Sequence, residues 1–137
     1  MDEQSIISES ASILRSYGDA FLEPLTGGGQ GAGYFRSDLV FVPREGPNAG
    51  VPHIVEFKKW NGKSLPSAII SGGAYHIDMV KSKNPYYKIR TALSSNAKVK
   101  DSWATKLRGR NIYVIDGVRN PTSLADSVIE WANSRDA

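Results

Sequence analysis

The stretch RSDLVFVPREGPNAGVPHIVEFKKW, residues 36–60, constrains the fold of this chain more than any other. Two runs rich in β-branched and aromatic residues flank REGPNAGVP (44–52), a loop of turn formers, so the segment reads as a β-hairpin. Each strand nevertheless carries charge. Asp38 opens the first, and Glu56 and Lys58 sit two apart in the second. Side chains two apart on a strand share a face, so Glu56 and Lys58 project together while Val55 and Phe57 face packing on the other side. Pairing through a loop of this length brings Asp38 towards positions 57–60. Three ionisable groups thus converge at one sheet edge, where burial without partners or a bound cation would be costly.

The flanking sequence supplies the rest of an α/β fold. Ile6, Ile7, Ile13, Leu14 and Tyr17 recur at helical spacing, which predicts an amphipathic helix over 3–17 stopped by Gly18, with Glu9 at the border of its apolar stripe. LTGGGQGAGYF (25–35) reads as a flexible glycine-rich connection. NGKSLPSAII (61–70) gives a turn and a helix start, with Ser64 as the expected cap and Pro66 in the first turn. The stretch from 81 to 110 is expected to be largely helical, interrupted near Asn84–Pro85. NIYVID (111–116) reads as a buried strand, and 121–134 as a closing helix with a stripe of Leu124, Val128, Ile129, Trp131 and Ala132. This order predicts a central mixed β-sheet containing 38–43, 53–60 and 111–116, with helices on both sides and residues 1–137 forming a single domain.

Composition narrows the chemistry. With no cysteine and only two histidines, His53 and His76, thiolate sites and multi-histidine metal sites are excluded, so any metal would be a hard cation held by oxygen. Neither histidine has a spacing that suggests catalysis; both are expected to be packed or exposed. No apolar stretch approaches a membrane span, and the acidic start MDEQSIISES is unlike a secretory signal, which points to an intracellular protein, cytoplasmic or nuclear. The net charge is +3 and the pI about 9.2. Its distribution says more. Lys81, Lys83, Lys88, Arg90, Lys98, Lys100, Lys106, Arg108 and Arg110 face a single acid, Asp101, with Tyr86, Tyr87 and Trp103 interleaved. Such a stretch can track a phosphate backbone, or can be a solvated face whose aromatics pack inward.

Two carboxylates sharing a site repel unless a cation intervenes. Asp38 and Glu56, with a backbone carbonyl, can hold Mg2+ or Mn2+ while leaving room for waters and a phosphate oxygen. Lys58 can then orient an attacking water and stabilise negative charge on phosphorus. Competing motifs fail on context. The glycines of GGGQGAG precede a strand rather than a helix, and NGKS lacks the upstream glycine of a phosphate-binding loop.

Asp38, a hairpin and Glu56-Phe57-Lys58 within VEFKK resemble the PD-(D/E)XK nuclease superfamily, and its virus-type replication-repair nucleases and small Holliday-junction resolvases in particular. The resemblance implies a restriction-endonuclease-like core and a Mg2+-dependent endonuclease acting on nucleic acid, most readily DNA. It implies metal ligation by Asp38, Glu56 and the Phe57 carbonyl, a catalytic Lys58, and Glu9 beside the metal from the first helix. The basic residues Lys81, Lys83, Lys88, Arg90, Lys98, Lys100, Lys106 and Arg108 would hold nucleic acid. A homodimer fits this reading, since resolvases and many restriction enzymes pair two sites. Ser37 stands where the family usually has proline, and no glutamine or second lysine follows Lys58 at the expected place. Two other readings share the fold: a silent module that binds nucleic acid or protein, and a nuclease toxin or effector domain of a longer protein.

Overall fold

The computed structural model describes residues 2–22, 38–85 and 87–135; the glycine-rich connection at 25–35, Ser37 and Tyr86 lie outside the described residues. The first helix, α1 (Glu3–Leu14), is capped by Asp2, whose Oδ1 accepts from the Ser5 amide at 2.7 Å. It stops three residues short of the predicted end, and Tyr17 stands exposed. A strand the periodicity does not announce, β1 (Gly18–Leu22), follows at once. Gly18 is therefore not merely a helix stop. A Cβ there would lie 2.1 Å from the Val42 carbonyl, so only glycine lets β1 close on its neighbour.

The expected hairpin is present as β2 (Leu39–Pro43) and β3 (His53–Lys58), paired antiparallel with Leu39 opposite Val55 and Phe41 opposite His53. The stretch from 81 to 110 is not largely helical. It contains β4 (Arg90–Ser95), parallel to β3, and β4 is parallel in turn to β5 (Ile112–Ile115). The result is a five-stranded mixed sheet in the order β1-β2-β3-β4-β5. The remaining helices are α2 (Ser67–Lys83), α3 (Asp101–Gly109) and α4 (Pro121–Ala132). Ser64 does not cap α2; it bridges to Lys98, and Pro66 takes the cap position without a side-chain bond.

Strand alternation sorts the side chains into two cores. Leu39, Phe41, Val55, Phe57, Ala92 and Ile115 pack with Ile6, Ile7, Ala11 and Leu14 of α1 and with Leu124, Val128 and Trp131 of α4. On the opposite face Leu93 and Ile112 pack with Ile70, Ala74 and Ile77 of α2 and Leu107 of α3. Helices therefore cover both faces. Ser10 Oγ donates to the Pro121 carbonyl at 2.9 Å, tying α1 to the start of α4. At the other end of α4, Asn48 in the hairpin loop donates to the carbonyls of Ala132 and Ser134. No helix among the described residues is long and apolar enough to cross a membrane.

Candidate functional site

Antiparallel pairing of β2 with β3 ends at Leu39 and Val55, and β3 runs on for three more residues. A residue's N–H and C=O leave the same edge of a strand, so Phe57 turns both towards the edge that β2 has vacated. Asp38 fills part of that edge: its Oδ2 accepts from the Phe57 amide at 2.7 Å. The Phe57 carbonyl consequently opens beside Asp38. Glu56 and Lys58 point to the other side of β3's plane, beneath α2, with Lys58 Nζ 3.2 Å from Glu56 Oε1.

Glu56 is 6% exposed, and its Oε2 is buried with no hydrogen-bond partner. Burial and the nearby charge of Asp38 push its pKa up to about 7, with Lys58 opposing. Burial and Asp38 likewise raise Glu3 on the first turn of α1, with Lys58 and Lys59 opposing. These groups form one electrostatic cluster at the carboxyl end of β3.

The helix carboxylate in this cluster is Glu3, not Glu9. The buried stripe of α1 runs through Ile6, Ile7, Ser10, Ala11 and Leu14, and Glu3 lies on its line. Glu9 is exposed, roughly 140° around the helix from the centre of that stripe. Including Ile13 and Tyr17 in the stripe, as the sequence pattern suggests, rotates its centre towards Glu9.

Two features of α2 complete the site: His76, expected from the sequence to be merely packed or exposed, and Gly73, to which the sequence assigned no role. His76 Nε2 stands 3.5 Å from Glu56 Oε2. One turn earlier, a Cβ on Gly73 would come within 2.7 Å of Leu93 Cδ1 and 3.6 Å of Lys58 Cε. Gly73 thus lets α2 press on the Lys58 stem. A glycine and a histidine three apart on the helix after the strand were the available signal. Gly72→Ala, on the open side where nothing lies within 4 Å, is expected to stabilise the protein by about 1 kcal/mol. Gly73→Ala should lose that gain to overlap with Leu93 and shift Lys58; urea denaturation of both variants checks the contrast.

His53 lies away from this cluster, in the α1–α4 core. Its Nδ1 is 2.7 Å from the Val51 carbonyl and its Nε2 2.9 Å from Arg90 Nη1, against the edge of Trp131. Arg90 also donates to the Trp131 carbonyl at 2.8 Å, so it is a packing residue and not part of a nucleic-acid face. Burial, aided by the Arg90 charge, lowers the His53 pKa to about 4. An unfolded chain takes up that proton near pH 6.5, so stability should fall as pH drops from about 6.5 to 4, by on the order of 3 kcal/mol. The titration of Glu56 has the opposite slope. Denaturation across this window in a Glu56→Gln background isolates the effect, and His53→Gln should flatten it.

The other basic residues do not form one surface continuous with the carboxylates, because β4 carries the chain across the sheet in their midst. Lys83 and Lys88 lie before β4, and Lys106 and Arg108 near the end of α3, which leads into β5. That is the amino end of the parallel strands, roughly 20 Å from their carboxyl ends. Lys81 belongs there too, donating to the carbonyls of Arg110 and Asn111. Lys106 lies over Trp103 at 4.9 Å. Only Lys98 and Lys100 of the predicted set share the carboxylate end, where Lys59 and Arg119 join them.

No protein-family model and no curated protein sequence matches this chain. Solved structures do. Can2 from Sulfobacillus thermosulfidooxidans, in complex with cyclic tetra-adenylate, superposes with a TM-score of 0.62 at 20% identity. Protein VC1899 from Vibrio cholerae superposes with a TM-score of 0.57 at 16% identity. The matches cover 96% and 94% of this chain but only 35% and 31% of those proteins, so the chain spans about a third of their length. At these identities the likeness is one of fold.

Proposed function

We propose that this chain is a metal-dependent endonuclease of PD-(D/E)XK type that hydrolyses phosphodiester bonds of nucleic acid, most readily DNA. One observation carries the reading: the buried Glu56 Oε2 lacks a hydrogen bond and feels the like charge of Asp38, with Lys58 paired to the other oxygen and His76 no nearer than 3.5 Å. Leaving such a group in place costs stability unless a cation offsets it.

The donors suit a hard divalent cation. Among the described residues no three His, Asp or Glu side chains are gathered as a metal-binding group. Mg2+, however, is commonly held by one or two carboxylates with waters and substrate phosphate completing its shell. Asp38, Glu56 and the Phe57 carbonyl would hold it here. Bound there, Mg2+ or Mn2+ would supply Lewis-acid activation of water and of the phosphoryl group.

The chain's own residues do the remaining work. The Phe57 amide fixes Asp38 in one orientation. Lys58, held between Glu56 and the backbone of α2 at Gly73, presents its ammonium to the attacking water and to the phosphoryl oxygens. That cation is worth most as the water oxygen bonds to phosphorus, the bridging P–O ester bond breaks and negative charge grows. His76 keeps Glu56 flanked from the α2 side. Can2's cyclic tetra-adenylate is itself a phosphodiester, but it belongs to a protein of which this chain spans a third.

Incubation with Mg2+ or Mn2+ and labelled duplex, single-stranded, flapped, four-way and RNA substrates tests the proposal. Metal-dependent cleavage of at least one is expected. Binding without cleavage of any would favour the silent module.

A further inference from the structure

We infer that the cleft between the β3, β4 and β5 exits binds a nucleic-acid backbone phosphate next to the scissile one; this rests on the function proposed above. The cleft has a volume of about 570 Å³ and is lined by Ile6, Lys59, Asn96, Lys98, Gly117, Val118 and Arg119. Three of these are cations, each from a different connection, and none is acidic. It lies outside the carboxyl ends of the parallel strands, where open α/β sheets bind ligands. Lys59 follows Lys58 directly, so the cleft begins about 3.8 Å along the chain from the carboxylate cluster.

The walls are built rather than incidental. Asn96 clamps Trp60 in both directions, accepting from its amide at 2.8 Å and donating to its carbonyl at 2.7 Å. Lys98 and the segment before α2 exchange backbone hydrogen bonds, Lys98 donating to Lys63 and Leu65 to Lys98. Gly117 and Val118 donate to the carbonyls of Ala97 and Ser95. The backbones carrying Lys59, Lys98 and Arg119 are thus joined before any ligand arrives, which lowers the ordering cost of gripping an anion. Nearby acids temper the charge: Asp101 lies 4.0 Å from Lys98, and Lys59 feels Asp2 and Glu3. With Lys98 65% exposed, that first pair is weak. The ligand chemistry that fits three converging cations is the phosphodiester backbone.

The test compares two triple variants in a Glu56→Gln background, which removes one repelling carboxylate. One is Lys59→Ala/Lys98→Ala/Arg119→Ala. The other, Lys88→Ala/Lys106→Ala/Arg108→Ala, removes the same charge at the amino end of the sheet. Fluorescence anisotropy with labelled single-stranded and duplex oligonucleotides reads affinity against salt. The cleft variant should bind at least about 10-fold more weakly. Its log–log salt slope should flatten by about 0.7 on a single strand or about 0.9 on duplex, the contribution of the one phosphate it neutralises. The other triple should leave the affinity within about two-fold and the slope unchanged. Equal losses in the two variants, an unchanged slope in the cleft variant, or no binding by the parent would overturn the inference. Because the readout is binding, the two proposals fail separately. A cleaving protein that is indifferent to the cleft variant sinks only this one. A protein whose binding depends on the cleft but that never cleaves sinks only the nuclease.

Discussion

Glu56→Gln is expected to abolish Mg2+- or Mn2+-dependent cleavage and, in metal-free protein above pH 7, to raise stability by on the order of 3 kcal/mol. The two effects share a cause. Burial and Asp38 raise the folded-state pKa of Glu56 from 4.5 to about 7. Between those values the folded protein keeps a proton that the unfolded chain has released. The favourable contribution is therefore complete below about pH 4.5 and disappears as pH rises through 7. Glutamine carries no titration and removes the repulsion with Asp38, so the variant's advantage should grow over that window. Saturating Mn2+ at pH 8 should raise the wild-type melting temperature and leave the variant's nearly unchanged, by linkage to binding. Thermal denaturation from pH 4 to 8, with chelator or with Mn2+, checks both halves. Parallel pH curves for the two proteins would mean that Glu56 ionises as an ordinary surface carboxylate.

Lys58→Met is expected to leave Mn2+ binding largely intact while slowing cleavage by about 10²-fold or more, roughly 2.7 kcal/mol of transition-state stabilisation. Methionine is chosen because the lysine stem packs against Gly73. An apolar side chain of similar length keeps that contact and deletes only the charge. Single-turnover cleavage at saturating metal separates slower chemistry from weaker binding, and unchanged rates would remove Lys58 from the reaction.

The hairpin was legible because its strands combine an unbroken apolar run with charge at fixed parity, and that parity places Glu56 and Lys58 on one face. The outer helices and β5 announced themselves in the same way. β4 did not. Its RTALSS sequence lies among lysines and is buried through small and hydroxylated residues, so neither hydrophobic run nor alternation marks it. Missing it cost more than one strand. A cation-rich stretch read as one surface is in fact split between opposite ends of the sheet, with the half-buried Arg90 drawn against His53 and Trp131. Glu3 and His76 were missed for a different reason: each depends on the phase of a helix against a strand distant in sequence. β1 was hidden by its brevity and by Gly18, whose close approach to Val42 looked like a helix stop.

Calorimetric titration of Mn2+ into wild type and Asp38→Ala most directly tests whether the edge vacated by β2 is a metal site. Asp38 is held against the Phe57 amide, where its carboxylate and the Phe57 carbonyl face the same space. Saturable binding by the wild type that weakens at least about 10-fold in the variant, the loss of one anionic ligand, is the expected result. Equal affinity in the two proteins, or no binding by the wild type, would contradict it.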